Sequence, residues 1–109
     1  MHRDHEIFVQ AIQDKRKVKV TFFSDNDACN RVNLYAPMDF EQCDIEGVKS
    51  SRYYFWDFEK GTNGAPQILQ PNQIVSMTLD KEAFNPTEFV TWDLEELPWF
   101  LERDWGQLS

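Results

Sequence analysis

The chain is 109 residues long, carries a formal net charge of −8 and is 41% apolar, with nine Phe, four Trp and three Tyr. That length supports one hydrophobic core and not two independent ones, and so many large apolar groups exclude a disordered chain. The charge argues against direct nucleic-acid binding, because phosphate is held chiefly by Lys and Arg.

The acidity is concentrated toward the C-terminus, where residues 80–109 hold two basic and eight acidic side chains. The basic cluster Lys15, Arg16, Lys17 and Lys19 fits a helix end running into a soluble edge strand. "MHRDHEIFVQ" lacks the layout of a signal peptide, and no apolar run approaches the ~20 residues that span a bilayer. The expectation is a cytoplasmic protein without a membrane partner, in which Cys29 and Cys43 are reduced thiols.

In chain order, Asp4 is placed to cap a helix over 4–16, with Ile7, Phe8, Ala11 and Ile12 as its apolar stripe. "KVKVTFF" then alternates with period two, pointing Val18, Val20 and Phe22 inward. "SDNDACN" is a turn, and "RVNLYA" resumes with Val32, Leu34 and Ala36 on one side. From Pro37 to Ser51 the alternation lapses, which predicts a long connection hinged at Gly47.

"RYYFWDF" follows, with Tyr53, Phe55 and Asp57 on one face and Tyr54, Trp56 and Phe58 on the other. Such a strand belongs in the middle of a sheet. "EKGTNGAP" is a turn, "QILQ" a strand cut short by Pro71, and "IVSMTL" a closing strand in which Val75, Met77 and Leu79 alternate. Asp93 and Glu96 read as a capping box for a short C-terminal helix that Pro98 restricts to a start near Leu97.

No chemistry-bearing constellation stands out. His2 and His5, with Asp4, are too few for a metal site. The loop opening at Asp25 and Asp27 has Asn30 where a calcium loop needs glycine and Ala36 where it needs glutamate. Glu95 and Glu96 diverge on a helix start, and Gly61 and Gly64 lie between strands, where no phosphate loop forms. The expectation is no enzyme, no metal and no cofactor.

Helix, basic strand, hairpin, Pro-Met, aromatic strand, proline-interrupted strand and closing strand, in that order, resemble the WYL domain, a bacterial regulatory module. Ala11 and Ile12 before "KVKVTFF", Arg31 leading to "YAPM", "YYF" at 53–55 in place of the Trp-Tyr-Leu triplet, and Ile74 before the last strand carry the resemblance, over residues 5–80. It implies a mainly β, α+β domain: a small five-stranded SH3-like barrel over 17–79, with an N-terminal helix and an acidic aromatic extension over 80–109. The family's arginines before the isoleucine are replaced here by Gln70, Asn72 and Gln73. Arg31 and Arg52, with the hydroxyls of Tyr53 and Tyr54, are left as the expected contacts for a small anionic ligand.

Two functions follow from this reading. One is a non-catalytic regulatory module that senses a small ligand or docks on a transcriptional or defence assembly through a protein partner. The other is an acidic interaction protein that grips a basic partner with Trp92, Trp99, Phe100 and Trp105, aromatics of the kind that anchor interfaces. Most rings of the 53–58 cluster are expected to be core and not a stacking platform, since few cations flank them.

Overall fold

The computed structural model describes residues 2–59, 66–90, 94 and 98–106, leaving aside the side chain of Ile45. The glycine turn at 60–65, Trp92, and the expected helix start with Asp93, Glu95, Glu96 and Leu97 lie outside the described residues. Helix α1 (His5–Asp14) leads into β1 (Arg16–Ser24), β2 (Cys29–Ile45), β3 (Val48–Asp57), β4 (Gln67–Leu69) and β5 (Ile74–Ala83). One 3₁₀ turn, Pro71–Gln73, links β4 to β5, and a second, Pro86–Glu88, follows β5. The five strands make a single antiparallel sheet in the order β4-β3-β2-β1-β5, giving a mainly β, α+β architecture. Among the described residues no pairing joins the edges β4 and β5.

Helix α1 buries Phe8, Ala11 and Ile12 of the stripe its spacing predicts, and Ile7 is half-buried at its edge. Lys15 ends it in the left-handed conformation at φ 55°, with its N–H directed to the carbonyls of Ala11 and Ile12. Asp4 precedes the helix but makes no side-chain cap. Its carboxylate instead accepts the Met77 N–H at 2.9 Å, fastening the helix start to β5.

The long connection expected over 37–51 is strand. β2, 17 residues long, continues through it to Ile45, and β3 returns after a two-residue turn at Glu46 and Gly47. Both turn residues have positive φ, 53° and 82°, the combination that matches the twist of a tight hairpin. Alternation lapses here because of a bulge: Pro37 pairs with Phe55 but Asp39 pairs with Tyr54, leaving Met38 as an extra residue. Proline is tolerated at such a break in the ladder. The bulge also flips parity, so Phe40 continues the face of Tyr35 while Asp39 points the other way.

The inner face, toward α1, collects Val18, Val20, Tyr35, Tyr53, Phe55, Leu69 and Met77, all essentially buried. Phe8 meets Tyr53 and Phe55 edge-on at 4.9 and 5.4 Å between centroids, an arrangement aromatic pairs favour. Two apolar residues of the alternating runs are exposed. Val32 is exposed because Val18 pairs with Tyr35, which places Tyr35, Asn33 and Arg31 inward. Val75 is exposed because a second irregularity, where Thr21 pairs with Ser76 and Phe22 with Ile74, turns Ile74 inward instead.

The outer face around Ala36, Met38 and Trp56 is covered by the C-terminal segment. Phe89 stacks on Trp56 at 5.7 Å, and Phe84 and Trp99 both meet Trp105 edge-on. Trp105 is 4% exposed, and its indole N–H donates to the Ile12 carbonyl at 2.7 Å. Residues 98–105 form no α-helix. The reason is tertiary: Asp39 takes the N–H groups of Phe100 and Leu101, at 2.9 and 3.1 Å, that a helix would direct to its own carbonyls.

Candidate functional site

Arg103 is the pin that holds this segment. Its side chain is 0% exposed and lies over Trp99 and Trp105, 3.9 and 4.5 Å from the ring centroids. It donates to the Met38 carbonyl, to the Leu101 carbonyl at 3.2 Å and to Asp39 Oδ1 at 3.2 Å. Burial pulls the Arg103 pKa down to about 10 against the pull of Asp39. Burial also raises the Asp39 carboxyl, against the N–H groups of Phe100, Leu101 and Phe40 and the Arg103 charge. For both partners desolvation outweighs attraction, so the pair fixes where the segment sits more than it adds stability.

Once pinned, the segment leaves a groove between itself and the sheet. Met38, Tyr54, Pro66, Pro98, Trp99 and Phe100 line about 430 Å³ of mostly apolar space. Phe100 is 65% exposed at its edge, and Ile68, opposite Tyr54 on the edge strand β4, is 46% exposed. At one end the Tyr54 hydroxyl donates to Glu41 Oε2 at 2.6 Å, and the Cys43 thiol donates to Glu41 Oε1 at 3.0 Å. These two bonds lower the Glu41 pKa, and the carboxylate holds the Cys43 thiol above its ordinary value. Arg52 pairs with Glu41 across the strands and shares the face of Tyr54.

Residues expected from two unrelated arguments therefore meet here. Tyr54 from β3 and Trp99 and Phe100 from the C-terminal segment line it, while Arg52 lies beside it on the same face of β3 as Tyr54. The others lie elsewhere. Tyr53 is wholly buried, and its hydroxyl accepts the His2 backbone N–H at 3.1 Å and bonds His5 Nδ1 at 2.8 Å. Trp105 is core. Arg31 faces inward at the far end of the sheet, ion-paired with Asp27 at 2.8 Å, so it cannot share a ligand with Arg52 on the other face. Ile68, Pro66 and Pro98 were not foreseen as surface, and no periodicity marks them.

The histidines are engaged in holding the N-terminus. His2 Nε2 bonds the Ile74 carbonyl at 2.8 Å while its Nδ1 accepts the Asp4 N–H. Among the described residues no three His, Cys, Asp or Glu side chains gather as metal ligands would. None of the described helices is long and apolar enough to cross a membrane. Comparison with known proteins gives no matching family model, no matching curated protein and no matching solved structure.

Proposed function

We propose that the chain is a non-catalytic regulatory binding module, built on a WYL-like small barrel of the SH3 type, that docks on a larger transcriptional or defence assembly in the cytoplasm. The strand order, the N-terminal helix and the 3₁₀ turn between β4 and β5 support that fold reading. The observation that carries the functional reading is the groove: apolar rings left in solvent by a segment that otherwise buries its aromatics. An exposed aromatic next to a rigid, well-packed frame is what interface anchors look like. A partner offering an apolar side chain to Trp99 and Phe100, with a hydrogen-bonding group for Tyr54 and Glu41, fits it.

The reading of the C-terminus as a partner-binding tail merges with this one, since Phe100 and the flank of Trp99 belong to the same groove. Trp105 serves the core instead. The test uses purified, folded baits: wild type, Phe100→Glu, Tyr54→Ala, and Val48→Glu as a control on the distant β2–β3 turn. A native-host partner held by wild type and Val48→Glu but lost from both groove variants is the expected result. Equal retention by all four rejects the groove.

A further inference from the structure

The β2–β3 hairpin runs on past the rest of the sheet. β1 pairs with β2 only as far as Tyr35, and β4 pairs with β3 only from Tyr53 to Phe55. β4 cannot follow β3 further, because Pro71 has no N–H for a ladder and the 3₁₀ turn it opens carries the chain off to β5. Residues 41–45 and 48–52 are thus a two-stranded arm, and among the described residues no strand pairs with the outer edge of β3 from Val48 to Arg52. About 460 Å³ of open space lies along that edge, between the backbone of residues 48–51 and the turn at Gln70, Pro71 and Asn72.

The hairpin decides which backbone groups the edge presents. Its turn has two residues, Glu46 and Gly47, both at positive φ, so Ile45 and Val48 form the hydrogen-bonded pair that closes it. Hydrogen-bonded and non-hydrogen-bonded pairs then alternate, and Ser50 with Cys43 and Arg52 with Glu41 direct their backbone groups to β2. Lys49 and Ser51 therefore turn an N–H and a C=O each to the outside. Tyr53, next in the same phase, uses this side to pair with Leu69 of β4.

A bare edge of this kind is a template for another strand. Antiparallel pairing with the same edge of a second copy has three registers in phase. Lys49 opposite Lys49 sets like charges face to face, which is destabilising. Ser51 opposite Ser51 sets Lys49 against Tyr53, whose side of the ladder β4 already holds. Only Lys49 opposite Ser51 uses all four outward groups of each copy, with Ser50 opposite its counterpart and Val48 opposite Arg52. No like charges then oppose, and each cation keeps an acid across on β2, Asp44 for Lys49 and Glu41 for Arg52. The net charge of −8 works little against this contact, because residues 41–52 carry only three acids and two bases.

We propose that two copies of this chain associate through the outer edge of β3, joining their sheets across a two-fold axis at Ser50. The interface is isologous and short, so the dimer is a weak one that forms with concentration. It shares no lining residue with the outer groove, and neither reading depends on the other.

The first test is a covalent trap in the full chain, with Cys29 and Cys43 replaced by serine. Ser50→Cys sets two thiols across a non-hydrogen-bonded antiparallel pair, where Cα atoms lie about 4.5 Å apart, within disulfide reach. Mild oxidation should give a disulfide-linked dimer. Val48→Cys, at a position 69% exposed, should not, because its counterpart lies about 13 Å along the strand. The second test is sedimentation equilibrium of surface variants in the natural cysteine background. Ser51→Glu, opposite Lys49 of the second copy, should tighten the dimer and Ser51→Lys should loosen it, each by roughly fivefold, since two such pairs form per dimer. These shifts run against the trend of net charge, which alone favours the lysine variant. A monomer at every concentration, equal trapping of both cysteine variants, or tighter association of Ser51→Lys than of Ser51→Glu would overturn the assignment.

Discussion

Asp39→Ala probes the pin of the C-terminal segment most directly. The carboxylate accepts the N–H groups of Phe40, Phe100 and Leu101 and the Arg103 guanidinium. An orphaned buried N–H costs about 1–3 kcal/mol, and breaking a buried ion pair from one side about 3–5 kcal/mol. These do not add, because the segment can lift away and return its donors to water. The expected loss is therefore about 3–5 kcal/mol, a large share of the ~5–15 kcal/mol that stabilises a domain. Asp39→Asn, which keeps one acceptor oxygen, should lose less. Arg103→Met combined with Asp39→Asn should lose less than the two singles summed, because the pair is costly to bury but worse to break. Urea unfolding followed by tryptophan fluorescence reads all of these, since Trp99 and Trp105 flank the guanidinium. A loss under ~1 kcal/mol for Asp39→Ala, within the range of ordinary surface changes, would refute the argument.

Trp105→Ala should cost about 3–5 kcal/mol, as deleting a buried aromatic does, and removal of residues 98–109 should impair folding; both are measured by the urea midpoint. Burial pulls the His5 pKa below its ordinary 6.5, so folding favours the neutral ring. The corresponding stability is full above 6.5 and falls as the pH drops through the folded-state value, a slope that His5→Gln should flatten in unfolding curves taken between pH 7.5 and 5. Glu41→Gln should speed alkylation of Cys43 at pH 8, because the carboxylate that holds the thiol protonated is gone. Gly47→Ala should cost about 1 kcal/mol: nothing crowds the position, but its φ of 82° strains any residue with a Cβ.

What the sequence made legible were elements whose signal is local. The α1 stripe, the alternation of β1 and the burial of the 53–58 rings need only neighbours in the chain to be recognised. Misreadings fell at bulges. The residue at Met38 and the irregularity before Ser76 each shift parity by one, and nothing in the residue types announces a shift that is set by the pairing partner. The expected C-terminal helix failed for a tertiary reason, since Asp39, some sixty residues earlier, supplies acceptors that the segment's own backbone otherwise would.

The same parity rule explains why the candidate sites were only half visible. Alternation sets Val32, Leu34 and Ala36 on one side of β2 without saying which side is the core, and pairing turns the other, with Arg31, Asn33 and Tyr35, inward. Polar side chains on the core face of a central strand have to meet something other than core, and here they meet a cavity that begins where the helix stops covering the sheet. Asp57, on the next strand in the same row, follows suit. A run of polar residues in phase with buried aromatics is thus a sign of a cavity wall, but only once register has decided which phase is the inner one. That decision belongs to the hairpin at Cys29 and Ser24, whose four-residue turn sets the pairing of every residue behind it.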